Sequence, residues 1–161
     1  MTATDPPPAD HPLIEVVIAR DEAVFWMDAR GQWHNRHGRF EHKRIIAHFN
    51  RSIRRDGDGY FVTQVRGHIR ERVYFPYTDT PLFVTRLIVS EPIQLVLNTG
   101  DTLLLDPSHL FTRSDQLYLR RNDERIKFGD RALLAISPYL EEIPDGLAIR
   151  LGSRLHPIQT G

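Results

Sequence analysis

Acid–base chemistry in this chain would fall to Asp79, Asp101 and His109, which stand with Asp106 in or beside the turns of a central run of strands. Two carboxylates in unlike surroundings, one protonated and one ionised, make a hydrolytic pair when they face each other across a cleft with an imidazole to carry the proton. The spacing of these residues does not require such a meeting. Asp106-Pro-Ser-His109 reads as a turn in which Asp106 or Ser108 bonds its own backbone. A hydrolase-like enzyme using Asp79, Asp101 and His109 is therefore an alternative, and no residue is assigned as catalytic. No nucleophile elbow, phosphate loop, dinucleotide fingerprint or zincin helix occurs.

Metal binding has little to work with. Cysteine is absent, which excludes disulfides, thiolate ligands and cysteine nucleophiles. His34, His37, His42 and His48 put half of the eight histidines into one short stretch, yet His42 and His48 are six apart and fall on opposite sides of a helix. Asp56-Gly-Asp-Gly59 imitates the opening of a calcium loop, but with Asp56 and Asp58 as third and fifth ligands, Arg54 would be the first and Val65 the twelfth. Neither can ligate. The segment reads as a turn, and neither a metal nor a cofactor is expected.

The remaining chemistry is anion recognition. Between Arg30 and Arg72 eleven Lys or Arg face four Asp or Glu, while the whole chain carries a formal net charge of +0. Arg36, Arg39, Lys43, Arg44, Arg51, Arg54 and Arg55, with Trp33, His34 and Tyr60 nearby, offer cations for phosphates and rings for stacking. A neutral chain lacks the overall basic footprint of a dedicated nucleic-acid binder, so nucleic-acid or anion binding through the basic helix over residues 40–55 stands as a second alternative.

These residues need elements to position them. A chain of 161 residues, 40% hydrophobic and 26% charged, is long enough to bury a core as one domain or two small ones. Residues 1–12 are polar and proline-rich and are expected to form a disordered tail. No apolar run approaches the roughly 18–20 residues needed to span a bilayer, so a soluble, cytoplasmic protein without membrane contact is expected. Strand-like runs come at residues 14–19, then 24–35 as a hairpin around Asp28-Ala-Arg-Gly31, 60–66 and 69–75 joined by Gly67-His68, 82–89, 93–97, 102–105, 117–128 around Asn122-Asp123, 146–151 and 154–158. Helix one is predicted from about Phe40 to Arg55, with Ile45, Ile46, Phe49 and Ile53 as its apolar stripe and Gly57 or Gly59 as its stop. A second opens at Asp130 as N-cap and is bent or shortened by Pro138.

The two helices begin copies of one pattern. Ile46, Phe49, Ile53, Asp58 and Gly59 correspond to Leu133, Ile136, Leu140, Asp145 and Gly146 at one constant offset of eighty-seven. The preceding hairpins match as well, Phe25 beside Tyr118, with extra residues before helix one. Each half thus reads hairpin, helix, hairpin, and neither half buries its apolar face alone.

Asp28-Ala-Arg-Gly-Gln-Trp-His34, Arg54-Arg-Asp-Gly-Asp-Gly-Tyr60, Thr78-Asp-Thr-Pro-Leu-Phe83 and Leu97-Asn-Thr-Gly-Asp-Thr-Leu-Leu-Leu-Asp-Pro-Ser-His-Leu110 together resemble a bacterial family, domain-of-unknown-function family 1285. The likeness covers Val24 to Ile158. In the second block Gly57 stands where that family usually has an acidic residue, and the second half is shorter here, with Pro138 in its helix. The resemblance implies an α+β fold with repeated structural motifs and a role in ligand sensing or signal transduction. It brings no catalytic residues.

The fold expected is α+β, two related hairpin-helix-hairpin repeats joined by central antiparallel strands, with two helices and about ten strands. The N-terminal repeat would occupy residues 13–78, and the central strands with the C-terminal repeat residues 79–161. The function expected is a non-enzymatic cytoplasmic module for an unidentified small ligand or protein partner, with Trp33, His34, Tyr60, Asp79, Thr99 and Asp101 lining the site. Turnover lost on substituting Asp101 would favour the enzyme, and steep salt dependence of oligonucleotide binding the anion binder.

Overall fold

The computed structural model describes residues 13–161, so the expected tail at 1–12 lies outside the described residues. Local patterning accounts for most of the elements: short β-branched and aromatic runs, each closed by glycine or asparagine turns, give many short strands and few helices. Seventeen strands and two α-helices are present among the described residues, where about ten strands were expected. The chain divides into two compact units, one ending at Pro81 and one running Leu82–Gly161.

The first unit contains, in chain order, β1 (Ile14–Ile18), a 3-10 turn (Arg20–Glu22), β2 (Phe25–Met27), β3 (Trp33–Asn35), β4 (Gly38–Arg39), α1 (Lys43–Arg51), β5 (Ile53–Asp56), β6 (Gly59–Arg66) and β7 (Ile69–Tyr74). They form a four-stranded sheet in the order β1-β7-β6-β5 and a three-stranded sheet β2-β3-β4. β1 runs parallel to β7, with Ile14 beside Ile69 and Ile18 beside Val73. The other neighbours are antiparallel. Met27 ties the small sheet to the segment that leaves β7: its amide donates to the Pro76 carbonyl and its carbonyl accepts from the Thr78 amide, at 3.0 and 3.2 Å.

The first helix is shorter than its apolar stripe predicts. It ends at Arg51, capped by Ser52, whose hydroxyl donates to the His48 carbonyl at 2.7 Å. Ile53 is buried, but on β5, and Arg54 and Arg55 are strand residues rather than the last helical turn. Gly57-Asp58 is accordingly the two-residue loop of the β5–β6 hairpin, with Asp56 opposite Gly59, and no helix stop. A β-branched residue followed by a tight two-residue turn needs an extended arm on each side, and that demand wins over helical periodicity. No α1 residue is fully buried. Phe49 instead packs edge-on against Phe25, Trp33 and Phe40, at centroid distances of 5.0, 5.3 and 5.1 Å.

The second unit contains β8 (Phe83–Ile88), β9 (Gln94–Leu97), β10 (Thr102–Leu104), a 3-10 turn (Pro107–His109), β11 (Leu110–Arg113), β12 (Gln116–Arg121), β13 (Glu124–Phe128), α2 (Asp130–Ile136), a 3-10 turn (Ser137–Tyr139), β14 (Leu140–Ile143), β15 (Gly146–Leu151), β16 (Arg154–Pro157) and β17 (Gln159–Thr160). A seven-stranded sheet has the order β10-β9-β8-β13-β12-β11-β17, and β14-β15-β16 form a three-stranded one. The N-cap of α2 is Gly129. Asp130 is its first residue, where a carboxylate suits the positive end of the helix dipole. Pro138 sits in the 3-10 turn that ends the helix. Leu95, Leu97, Leu110, Ile126, Phe128, Ile136 and Ile149 form the interior of this unit.

One correspondence holds inside both units. Ile53 pairs with Val62 and Asp56 with Gly59 in the first, Leu140 with Ile149 and Ile143 with Gly146 in the second, each position displaced by eighty-seven. The hairpins before the helices differ: Phe25 pairs with Asn35 across a five-residue loop, Tyr118 with Lys127 in a hairpin closed by Asn122-Asp123.

Candidate functional site

A hollow of about 260 Å³ lies in the first unit, lined by Ile18, Glu22, Val24, Phe25, Asn35, Phe40, Phe49, Gln64, Arg66, Glu71 and Val73. Strand register explains its make-up. Ile18, Val73 and Val62 are neighbours in one cross-strand row, and Glu71 opposite Gln64 is the next row on the same face. Going along that face, the side chains change from apolar to polar. Phe25 and Asn35, themselves a cross-strand pair of the small sheet, line it too, and the rings of Phe40 and Phe49 meet edge-on beside it. The result is an apolar floor with Glu22, Asn35, Gln64, Arg66 and Glu71 around it. Its volume falls just under the roughly 300–1,000 Å³ of pockets for drug-sized ligands, which suits a smaller molecule.

The second unit has a hollow of about 440 Å³. Much of its lining is the exposed turn Arg113-Ser114-Asp115, where Ser114 and Asp115 both have positive φ, together with Leu133, Leu140 and Leu147. Polar side chains line it too, Thr112, Gln116 and Thr160 among them, but it lacks the aromatic floor of the first.

The structure divides the residues expected from the sequence. Trp33, His34, Tyr60 and Asp79 belong to the first unit, Thr99 and Asp101 to the second. Trp33 and His34 are adjacent on β3 and so point to opposite faces. Trp33 is buried, its indole N–H donating to Asn50 Oδ1 at 2.7 Å. His34 faces outward, stacks on Trp26 with an interplanar angle of 7°, and bonds Asp28 through Nε2 at 2.7 Å. Tyr60 is buried against Tyr77, with the Arg55 guanidinium over its ring at 5.5 Å. Asp79 is half-buried in the segment after β7. Thr99 donates to Asp101 Oδ2 at 3.1 Å within the β9–β10 turn, and Arg121 lies 3.6 Å from the same oxygen. None of these six lines the hollow of the first unit.

Asp106 acts as the sequence suggests, accepting from the Ser108 amide and hydroxyl at 3.0 and 2.7 Å, with His109 Nε2 at 3.8 Å. Those Ser108 bonds hold its carboxyl below the usual range. Among the described residues no group of three His, Asp or Glu is placed to hold a metal.

Two carboxylate networks lie in the first unit, one assembled across strands and one within a turn. Arg72 on β7 bridges Glu15 on β1 and Asp56 on β5, at 3.0 and 2.9 Å, and the Tyr74 hydroxyl donates to the same Asp56 oxygen. The Tyr74 bond, joined by the Asp58 amide and Arg72, lowers the Asp56 pKa; the same bond, with burial, raises that of Tyr74 against the opposing effect of Arg72. The second is Asp28. Burial pushes its carboxyl up, but His34 and the Gln32 and Arg30 amides outweigh burial and leave it below its ordinary value. Both networks join residues brought together by strand pairing or by a turn, and both fix backbone rather than present free groups.

No protein-family model matches the chain, and neither does any curated protein. Two solved structures do. One is the crystal structure of a DUF1285 family protein from Silicibacter pomeroyi DSS-3, with TM-score 0.61 and 12% identity over 95% of this chain and 90% of that one. The other is a DUF1285 family protein from Shewanella baltica OS155, with TM-score 0.50 and 17% identity over 71% of this chain and 91% of that one. At such identities the likeness speaks for the fold. This chain, mostly β with two helices among the described residues, has a fold like that of these DUF1285 family proteins.

Proposed function

We propose that the protein is a non-enzymatic binding module whose first unit takes one small ligand in the hollow floored by Phe25, Phe40, Phe49 and Val73. The observation that carries this is the convergence of Glu22, Asn35, Gln64 and Glu71 on an aromatic floor. Sites of this make-up hold an apolar body and fix its orientation with a few polar contacts. Two carboxylates at the rim accept hydrogen bonds, while the oxygens of Asn35 and Gln64 already accept from the His37 amide and the Arg66 guanidinium and leave their N–H groups to donate, so the ligand has a short apolar or aromatic body with an amine or amide head. Arg66 at the same rim limits the positive charge the site tolerates. Ligand sensing or signal transduction is the role the motif resemblance implies, and a hollow sized for a small molecule is in keeping with it.

The repeat belongs to the same proposal. The two units derive from one helix-and-hairpin pattern, and the shared register of β5–β6 and β14–β15 supports this. His34, Asp79, Thr99 and Asp101 are the sequence-predicted positions with polar groups outside the cores, and they remain candidates for contacts with a partner.

The test is a thermal-shift series with short alkyl and aryl amines and amides, repeated on Glu71→Gln and on a Gln64→Leu variant. The expected result is a rise in Tm at saturating ligand, unchanged ligand on recovery, and a smaller rise in both variants. A panel that leaves Tm unmoved, or a rise equal in wild type and variants, would refute the site.

A further inference from the structure

The outer face of the small sheet β2-β3-β4 carries chemistry that the hollow does not use. Register places Trp26 opposite His34, and His34 opposite Arg39, so that indole, imidazole and guanidinium form one row across the three strands. Cross-strand partners of this kind lie about 4.5–5.5 Å apart at Cβ. The first two rings are stacked with nearly parallel planes, their centroids 5.8 Å apart at an angle of 7°. Trp26 remains 40% exposed, and Val24 beside it 76%. The imidazole is pinned from below by Asp28, whose other oxygen is taken by the Arg30 and Gln32 amides. An open hollow of about 480 Å³, lined by Ala23, Val24, Trp26, Asn35, Arg36 and His37 but not by His34, opens against the indole. The strands and turns beside it are basic: from Ala29 to Phe40 the chain has Arg30, Arg36 and Arg39 and no acidic residue, with Asp28 and Glu22 outside that stretch. Arg36 and Arg39 are exposed.

An exposed tryptophan backed on one ring face by a pinned histidine and bordering an open hollow, with arginines on the same row and beside it, has the composition of a platform for an unpaired base. Every base offers a π-face to stack on, while the cations follow the phosphates. We propose that this face binds single-stranded nucleic acid, with one base stacked on Trp26 and the backbone held by Arg36 and Arg39. A duplex does not fit the platform, because its bases are already stacked on one another. The site is separate from the basic helix: Arg39 reaches the row from β4, and no α1 residue takes part.

The test uses the full chain and a fluorescein-labelled oligothymidylate of about twelve nucleotides, within the roughly 4–16 that small single-strand binders cover. Anisotropy should rise at low salt and fall steeply with added salt. Trp26→Ala should weaken binding roughly tenfold or more, while Trp26→Phe, which keeps a ring, retains most of it. Arg36→Ala and Arg39→Ala should each lessen the salt slope by roughly one. The same sequence as a duplex, and thymidine monophosphate at equal nucleotide concentration, should compete poorly. Four results would overturn the proposal: no anisotropy change at low salt, equal affinity in Trp26→Ala, equal loss in Trp26→Phe and Trp26→Ala, or full competition by duplex or by the mononucleotide. Circular dichroism and Tm matching wild type in the Trp26 variants separate lost binding from lost folding.

Discussion

The indole of Trp33 donates a 2.7 Å hydrogen bond to Asn50 Oδ1, joining the middle strand of the small sheet to the last turn of α1. Trp33 is 1% exposed, so this bond is the means by which the one polar atom of a large buried ring is satisfied. It also holds a helix that buries no residue completely. Asn50→Ala leaves a buried N–H without its acceptor and is expected to lower stability by about 1–3 kcal/mol. Urea denaturation read by tryptophan fluorescence measures it, and an unchanged midpoint would show that another acceptor takes over.

Acid should weaken the first unit through Asp28 and Asp56, both of which have pKa values lowered from the ordinary 3.8. A carboxyl that binds its proton more weakly when folded favours unfolding as protons are added. The stability it contributes is complete above the ordinary value and is lost as pH falls below it towards the lowered one. Denaturation midpoints measured from pH 6 downward should therefore decline at about pH 4 and below, and Asp28→Asn and Asp56→Asn should each flatten that decline. If both variants keep the wild-type slope, the hydrogen bonds from His34 and Tyr74 have no net effect on these carboxyls.

Gly59 and Gly146 open β6 and β15 at φ of 122° and 140°, a region closed to other residues. Alanine at either should cost about 1–3 kcal/mol. Space is not the cause, because a Cβ at Gly146 meets nothing within 4 Å and one at Gly59 meets only the movable end of Arg20, at 3.1 Å. Similar losses in Gly59→Ala and Gly146→Ala are the outcome expected if the two hairpins are related. A loss at one position alone would argue against their equivalence.

Arg54 is committed to its own backbone. Its guanidinium donates to the carbonyls of Arg51 and Ile53 at 2.9 and 2.8 Å, closing the end of α1 where orphan carbonyls gather. Arg54→Ala is expected to lower stability by about 0.5–1.5 kcal/mol and to leave oligonucleotide affinity unchanged. A variant that keeps its Tm but loses affinity would instead assign Arg54 to an anion surface.

Much of this molecule could be read locally. Gly67-His68 and Asn122-Asp123 mark hairpins because a two-residue turn needs residues that accept its backbone, and the flanking β-branched and aromatic runs supply the arms. The Asp-Gly pairs at 58–59 and 145–146 fix the register of β5–β6 and β14–β15 for the same reason. Asp106 and Asp130 stand where short acidic side chains favour turns and helix starts, although at Asp130 the cap proper fell to Gly129.

Tertiary structure decided the rest. Ile53 continues the helical stripe of Ile46 and Phe49 in sequence, and only pairing with Val62 makes it a strand residue. The separation of Trp33 from His34 comes from a period of two, which sets the faces of a strand but not which face is inside. The hollow and the Glu15–Arg72–Asp56 bridge depend on β1 lying parallel to β7, a pairing of residues far apart in the chain that no local turn dictates. Turn chemistry is encoded within a few residues and so is visible in sequence. A site assembled across strands is set by which hydrophobic faces cover one another, and that is a property of the folded chain.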